Sequence, residues 1–188
     1  MRSKILYKRN KTAKASRVLG SVRELSDKWG LTEQLEKGEI LGPPFREVLE
    51  CAVEISKRAK ILAGAAYSQE RRIVLNVALL EMGRENDRNV TFMHECAHIL
   101  TDLFYGRSCK HNQSWRDIMR LLGQKPVVRH NLSYLSRASQ AVVAWQCNNC
   151  IKKYYFVRRP RRNPSKCFCQ SCGPELGHLK VIPVSSDN

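Results

Sequence analysis

Five residues, His94-Glu95-Cys96-Ala97-His98, carry the densest chemistry in the chain. They sit inside an apolar run from Thr91 to Leu100 that suits a helix. On a helix, positions four apart share a face at a separation of about 6 Å. Two imidazoles so placed can bind one zinc ion at about 2.0–2.1 Å each. Glu95 is one step round from His94, where a carboxylate can reach a water on the ion without binding the metal. A group there takes the proton as the water attacks a carbonyl. An apolar helix has little other use for a buried glutamate, which needs a partner.

A catalytic zinc normally takes three protein ligands and keeps one position open. Asp102, His111, Asp117 and His130 follow in the chain. His111 is preferred, because it stands just before an amphipathic run, Trp115, Ile118, Met119 and Leu122. A ligand at the start of a second helix can fold back onto the first. Asp102 continues the face of His98 and suits the surroundings of the ligands or the surface rather than the ligand set. His130 reads as a loop histidine. Cys109, two residues from His111, is a competing thiolate donor, and Cys96 reads as core.

A second group is made of thiols. Cys147-x-x-Cys150 and Cys169-x-x-Cys172 form two paired spacings eighteen residues apart, which fits a tetrahedral structural zinc at about 2.3 Å per thiolate. Cys167 is an alternative to Cys169, but only Cys169 makes the x-x pair with Cys172. Between the pairs lie Lys152, Lys153, Tyr154, Tyr155, Arg158, Arg159, Arg161 and Arg162. Cations neutralise phosphates and aromatic rings stack on unpaired bases, so these eight residues are the candidate nucleic-acid contacts.

The elements that must position these groups are legible in part. Val22, Leu25, Trp29, Leu31 and Leu35 suggest one or two short helices broken at Gly30. A helix is predicted from Pro44, carrying Phe45, Val48, Leu49, Ala52, Val53 and Ile55 and ending near Lys57-Arg58-Lys60. Residues 61–67 and 73–77 read as two strands around a turn at 68–71. The small residues Ala63-Gly64-Ala65-Ala66 leave room for another backbone to come close. The active helix is predicted over 87–104 with Asp87 as its N-cap, and a second helix over 113–123.

Composition bounds the reading. At 188 residues the chain suffices for one cored domain and a small appendage. No run of 18 apolar residues marks a membrane span. The net charge is +16. Residues 1–18 hold seven cations and no acid, residues 126–188 hold ten against two, and 19–125 are nearly balanced at +1. A polyanion, most naturally nucleic acid, is the expected partner. Eight cysteines, five of them clustered in 147–172, fit zinc in a reducing compartment better than disulfides. No secretory signal is visible, so an intracellular place, in the cytoplasm or with the nucleoid or nucleus, is expected.

From about Lys60 to Gly177 the chain resembles the SprT-like zinc metalloprotease family, the group that includes Spartan. The resemblance is carried by Ala63-Gly64-Ala65-Ala66-Tyr67, Arg72-Ile73-Val74-Leu75-Asn76, His94-Glu95-x-x-His98, His111 with Trp115, and the two Cys-x-x-Cys pairs, the last followed by Gly173. Asn112 departs from it, since the family commonly has Gly after that histidine. The resemblance implies an α+β fold: a zincin-like protease domain with an active helix and a small mixed sheet, followed by a zinc ribbon. It implies a zinc metalloendopeptidase acting on DNA-associated proteins, as in DNA–protein crosslink repair. His94, His98 and His111 then hold a catalytic zinc, Glu95 is the general base, and a second zinc is structural. The expected organisation is a basic disordered arm over 1–18, a protease domain over 19–125, a connector over 126–140 and the ribbon over 141–188. The expected partner is DNA, single-stranded or junction-like forms included. The rival readings are a non-catalytic DNA-binding zinc protein and a zinc peptidase with no DNA role.

Overall fold

A computed structural model of the chain describes residues 16–184, and these divide into two compact units, one ending at Arg129 and the other beginning at His130. Most of the expected basic arm, residues 1–15, lies outside the described residues. Its last three residues do not belong to a disordered segment: Ser16 opens strand β1 (Ser16–Ser21). No helix among the described residues is long and apolar enough to cross a membrane.

Helix α1 (Val22–Trp29) begins on a reciprocal cap. Glu24 N–H donates to Ser21 Oγ, and Ser21 N–H donates to the Glu24 carboxylate. It ends at Gly30, whose φ of 67° is the left-handed conformation glycine adopts without strain. Helix α2 (Thr32–Glu36) follows, so the pair expected around Gly30 is present.

The helix predicted from Pro44 to the basic run is a correction. Helix α3 (Pro43–Leu49) stops at Leu49, and Ala52–Ser56 is strand β2. Phe45, Val48 and Leu49 are buried at helical spacing, but Val53 and Ile55 are buried two apart, with half-buried residues between them. Positions 45, 48, 52 and 55 satisfy the helical period by coincidence. The β-branched pair at 53 and 55 satisfies the period of two as well. Neighbours on both sides decide the matter, because β2 pairs with β1 and with β4 (Arg72–Asn76).

Strand β3 (Gly64–Tyr67) completes a mixed four-stranded sheet in the order β1-β2-β4-β3. β2 and β4 are parallel and the other pairs antiparallel. β3 is therefore an edge. The residues before it form a loop, not a strand, so the element expected to open at residue 61 starts at Gly64. Asn76, almost fully buried, holds that loop. Its Nδ2 donates to Ala59 O at 2.8 Å and Leu62 O at 2.9 Å, and its Oδ1 accepts from Ala78 N–H at 3.0 Å.

Helix α4 (Glu85–Tyr105) is the longest element at 21 residues. It packs on β3, β4, α3 and helix α5 (Gln113–Leu121). Asp87 sits inside its first turn rather than at the cap, where its charge still favours the helix dipole. Phe92, Met93, Cys96, Ala97, Ile99 and Leu100 are all fully buried and fasten α4 to the core with Ile73, Leu75 and Trp115.

The second unit contains a three-stranded antiparallel sheet of β5 (Val143–Cys147), β6 (Lys153–Phe156) and β7 (Leu179–Ile182), in the order β6-β5-β7. Trp145 packs against Phe156 with ring centroids 4.5 Å apart. A one-turn helix, α6 (Gly173–Leu176), precedes β7.

Asn76→Ala removes three hydrogen bonds and leaves two loop carbonyls without their donor. At about 1 kcal/mol each, with a penalty for stranded partners, it should cost roughly 2–4 kcal/mol in urea unfolding. Hydrogen exchange should quicken first over residues 57–63, and an unchanged rate there would count against the staple.

Candidate metal centre

Three imidazoles converge in the first unit. His94 and His98 stand one turn apart on α4, and His111 comes from the turn before α5. Their Nε2 atoms form a nearly equilateral triangle: 3.1 Å from His94 to His111, 3.2 Å from His94 to His98 and 3.1 Å from His98 to His111. Three nitrogens this close cannot all be satisfied by protons shared among themselves. A tetrahedral ion with bonds of about 2.0–2.1 Å spaces its ligands about 3.3–3.4 Å apart, close to the observed triangle. The donor set thus fits zinc.

The chain is bent sharply to bring His111 in. Gly106 ends α4 in the left-handed conformation, and Lys110 has a φ of 48°. Asn112, where the resemblance leads one to expect glycine, has an extended conformation. It caps α5 by accepting Trp115 N–H at 3.1 Å on its Oδ1. The substitution therefore trades a flexible residue for a capping one. Trp115 is fully buried and touches all three imidazoles, with centroid distances of 4.8, 5.2 and 4.6 Å to His94, His98 and His111. Burial pushes the His98 imidazole down to about 4, with His111 acting in the same sense and Asp102 against it. Burial, then Arg116, lowers His111 as well. Both shifts favour the neutral ring at His98 and His111, which is the form that binds a metal.

Glu95 is 5 % exposed and lies beside β3. Burial pushes its carboxyl up to about 8, while the Ala66 N–H donates to it and acts in the opposite sense. A divalent cation at the imidazoles would pull it down again. Gly64 of β3 makes room for this carboxylate. A Cβ on Gly64 would lie 2.7 Å from Glu95 Oε1 and 2.8 Å from Thr91 Cγ2.

Asp102 does not join the triangle. Its Oδ1 accepts Cys109 N–H at 2.8 Å and its Oδ2 accepts Ser68 Oγ–H at 2.8 Å. Cys109 turns its thiol toward Arg107 O, and Asp117 is spent on Gln113 and Arg120. His130 falls in the second unit. Cys96 is fully buried, where desolvation holds its thiol well above the usual range.

The second unit brings Cys147, Cys150, Cys169 and Cys172 together, with all four sulfurs within 4.8 Å of one another. Cys147 and Cys172 are 3.8 Å apart, and Cys150 and Cys169 3.5 Å. Tetrahedral zinc–thiolate bonds of about 2.3 Å give about 3.8 Å. Cys167 is not in the cluster. Tyr154 donates its hydroxyl to Cys169 Sγ at 3.0 Å, which draws that thiol down to about 6, and Asn149 Nδ2 reaches Cys172 Sγ at 3.4 Å. Gly177 lets the chain after α6 turn back onto Cys169, since a Cβ there would sit 2.4 Å from Gly173 O and 2.9 Å from Cys169 N.

These contacts sort the eight basic and aromatic candidates. Tyr154 and Phe156 share the β6 face that meets Cys169 and Trp145, so the Tyr154 hydroxyl is engaged. Lys153 and Tyr155 point to the other face. There Lys153 pairs with Gln146, and Gln146 pairs with Lys180 across β7. Only strand register places Lys180 in that row. Lys152, Arg158, Arg159, Arg161 and Arg162 are exposed, and the four arginines form no ion pair among the described residues.

The SprT-like family model matches residues 33–137, more than half of the chain. The chain belongs to the SprT-like family. It is similar to Protein SprT of Yersinia enterocolitica, 30 % identical over 117 residues, which are 61 % of this chain and 68 % of that protein. Protein SprT of Pasteurella multocida is 31 % identical over 118 residues, 61 % and 70 % of the two chains. Protein SprT of Vibrio atlanticus is 26 % identical over 135 residues, 70 % and 81 %. No solved structure matches. The family match takes in the three imidazoles and Glu95, and the cysteine cluster lies beyond it.

Gly64→Ala in this SprT-like chain tests how tightly the glutamate is cradled. The added methyl must displace Glu95 or Thr91, at a cost of roughly 1–3 kcal/mol in chemical unfolding. A change below about 0.5 kcal/mol would mean that the carboxylate sits loosely.

Proposed function

We propose that the chain is a zinc-dependent endopeptidase acting on DNA-associated proteins, of the DNA–protein crosslink proteolysis type. A zincin-like unit does the cutting and a zinc ribbon holds the enzyme on DNA. The observation that supports this most is the triangle of three Nε2 atoms with the buried Glu95 one residue along the same helix. A zinc ion held there by His94, His98 and His111 would supply Lewis acidity, polarising a scissile carbonyl and lowering the pKa of a water molecule.

The protein's own groups do the rest. His94, His98 and His111 supply neutral nitrogen donors, and Trp115 keeps their rings from turning. Glu95 takes a proton from the attacking water and delivers it to the leaving amine. Its burial beside β3 holds the carboxylate in one place for that transfer. The free edge of β3, beside Glu95, accepts the substrate as an added strand. Backbone pairing of that kind tolerates many side chains, which suits an enzyme whose targets share a location rather than a sequence. In the second unit the four thiolates hold a structural zinc, and Lys152, Lys153, Tyr155 and the arginines from 158 to 162 face phosphates and bases.

Glu95→Gln should retain about two zinc ions per chain and lose cleavage by at least 10²-fold, the usual scale of a positioned base. The assay is proteolysis of a DNA-bound protein, with and without chelator. Full activity in the variant would end the mechanism. No activity in the wild type, with DNA bound, would favour a non-catalytic DNA-binding zinc protein.

DNA affinity should fall steeply with salt. Each of Lys152, Lys153, Arg158, Arg159, Arg161 and Arg162 changed to alanine should lower the log–log slope by up to about 1. A flat salt response would leave a zinc peptidase with no DNA role.

A further inference from the structure

Two segments must be held against α4 for the proposed centre to work: the turn that delivers His111 and the edge strand beside Glu95. One side chain touches both. Asp102 stands four residues past His98 and seven past Glu95, so it shares their flank of the helix about 10 Å beyond Glu95. It binds Ser68 Oγ, one residue beyond β3, and Cys109 N–H, two residues before His111, each at 2.8 Å.

The turn has few other fastenings. Gly106 frees the chain from α4, and Arg107, Ser108 and Lys110 make no side-chain hydrogen bond or ion pair among the described residues. Asn112 N–H closes the turn on Cys109 O at 3.2 Å, so whatever fixes Cys109 fixes the far side of His111 too. Beyond that bond Asn112 is tied to α5, its Oδ1 accepting Trp115 N–H and its carbonyl accepting Arg116 N–H. The Asp102–Cys109 bond is what refers the turn back to the helix that carries the other two imidazoles. A carboxyl group suits that task, because each of its two oxygens takes one of the two donors.

We infer that Asp102 is a positioning residue that locks the His111 turn and the end of β3 to α4, setting the third ligand and the substrate edge in one register. The inference rests on the reading of His94, His98 and His111 as a metal site.

The test is cobalt titration of the full chain. Cobalt on four thiolates gives intense charge-transfer absorption, and cobalt on imidazoles gives only weaker visible bands, so each protein carries its own control. Wild type should take up two ions. Asp102→Ala should weaken the imidazole site 10–100-fold, the usual cost of losing an outer-shell partner, and leave the thiolate site unchanged. Asp102→Asn should stay within about threefold of wild type, because its Oδ1 still accepts Cys109 N–H. Ser68→Ala should likewise keep cobalt affinity, because the bond to the turn survives. Hydrogen exchange over 107–112 in the metal-free protein should quicken in Asp102→Ala alone. Should Asp102→Ala not fold, Asp102→Ser, too short to reach both donors, takes its place in the comparison. Wild-type affinity at both sites in Asp102→Ala, with 107–112 still protected, would overturn the inference and leave the metal site standing. Uptake of a single ion by the wild type, at the thiolates, would overturn both.

Discussion

The close approach of α4 to the edge strand is the constraint from which the site follows. A helix that buries a carboxylate and an imidazole gives up the hydration of both, at several kcal/mol if they are left without partners. The apolar side of α4, from Phe92 through Leu100, supplies the burial that offsets this cost. Gly64 lets the strand come near enough for the Ala66 N–H to reach Glu95. A larger residue at 64 would push the strand away, hydrate the carboxylate and dissolve the difference between Glu95 and an ordinary surface glutamate. The glycine, the polar pair and the apolar face are one arrangement seen from three sides.

The two clusters are built on opposite electrostatic plans. Three neutral imidazoles leave a divalent ion its full charge, and three ligands leave room for a fourth partner. That plan favours an ion that polarises something else. Four thiolates outweigh the charge of the ion, and donors such as Tyr154 and Asn149 then stabilise the excess. That plan favours an ion that only holds chain segments together. The division matches the cores around them. The first unit has a substantial apolar interior, whereas the short strands of the second leave Phe168, Val181 and Ile151 exposed and give it little else to fold around.

Groups whose chemistry depends on spacing along the chain were legible in the sequence. His94 with His98 obeys the helical repeat, and Cys169 with Cys172 obeys the knuckle spacing, which is why Cys169 and not Cys167 joins the cluster. His111 was reachable because a ligand must come from somewhere just beyond the helix. What failed was legibility across the sheet. β2 carried a pattern compatible with both periods, and only its two neighbours made it a strand. The first half of β1, residues 16–18, looked like part of a charged arm because a strand of Ser, Arg, Val, Leu and Gly has little pattern of its own. Gly64 and Asp102 work through partners 31 and 34 positions away, at Glu95 and Ser68, and Lys180 lies in register with Gln146, 34 positions away. No local rule reports such distances. Asp102 was placed near the ligands as the next polar residue on their face, but its partners Ser68 and Cys109 were not readable.

The uneven charge would give the proposed activity its selectivity. A cutting unit that recognises backbone through an open strand edge has little basis for choosing among proteins, and near-neutral charge over 19–125 gives it no long-range preference either. A strongly basic flank joined to it changes the situation without altering the site. Once phosphates hold one part of the chain, the substrate meets the active edge at an effective concentration set by the tether, not by the bulk. Cleavage then selects for what lies on the same polyanion, and the weak intrinsic preference of the edge becomes an advantage. Such a design tolerates almost any sequence in the target, but it depends on the two affinities staying separate. Strong charge around β3 itself would draw nucleic acid onto the edge that the substrate backbone needs.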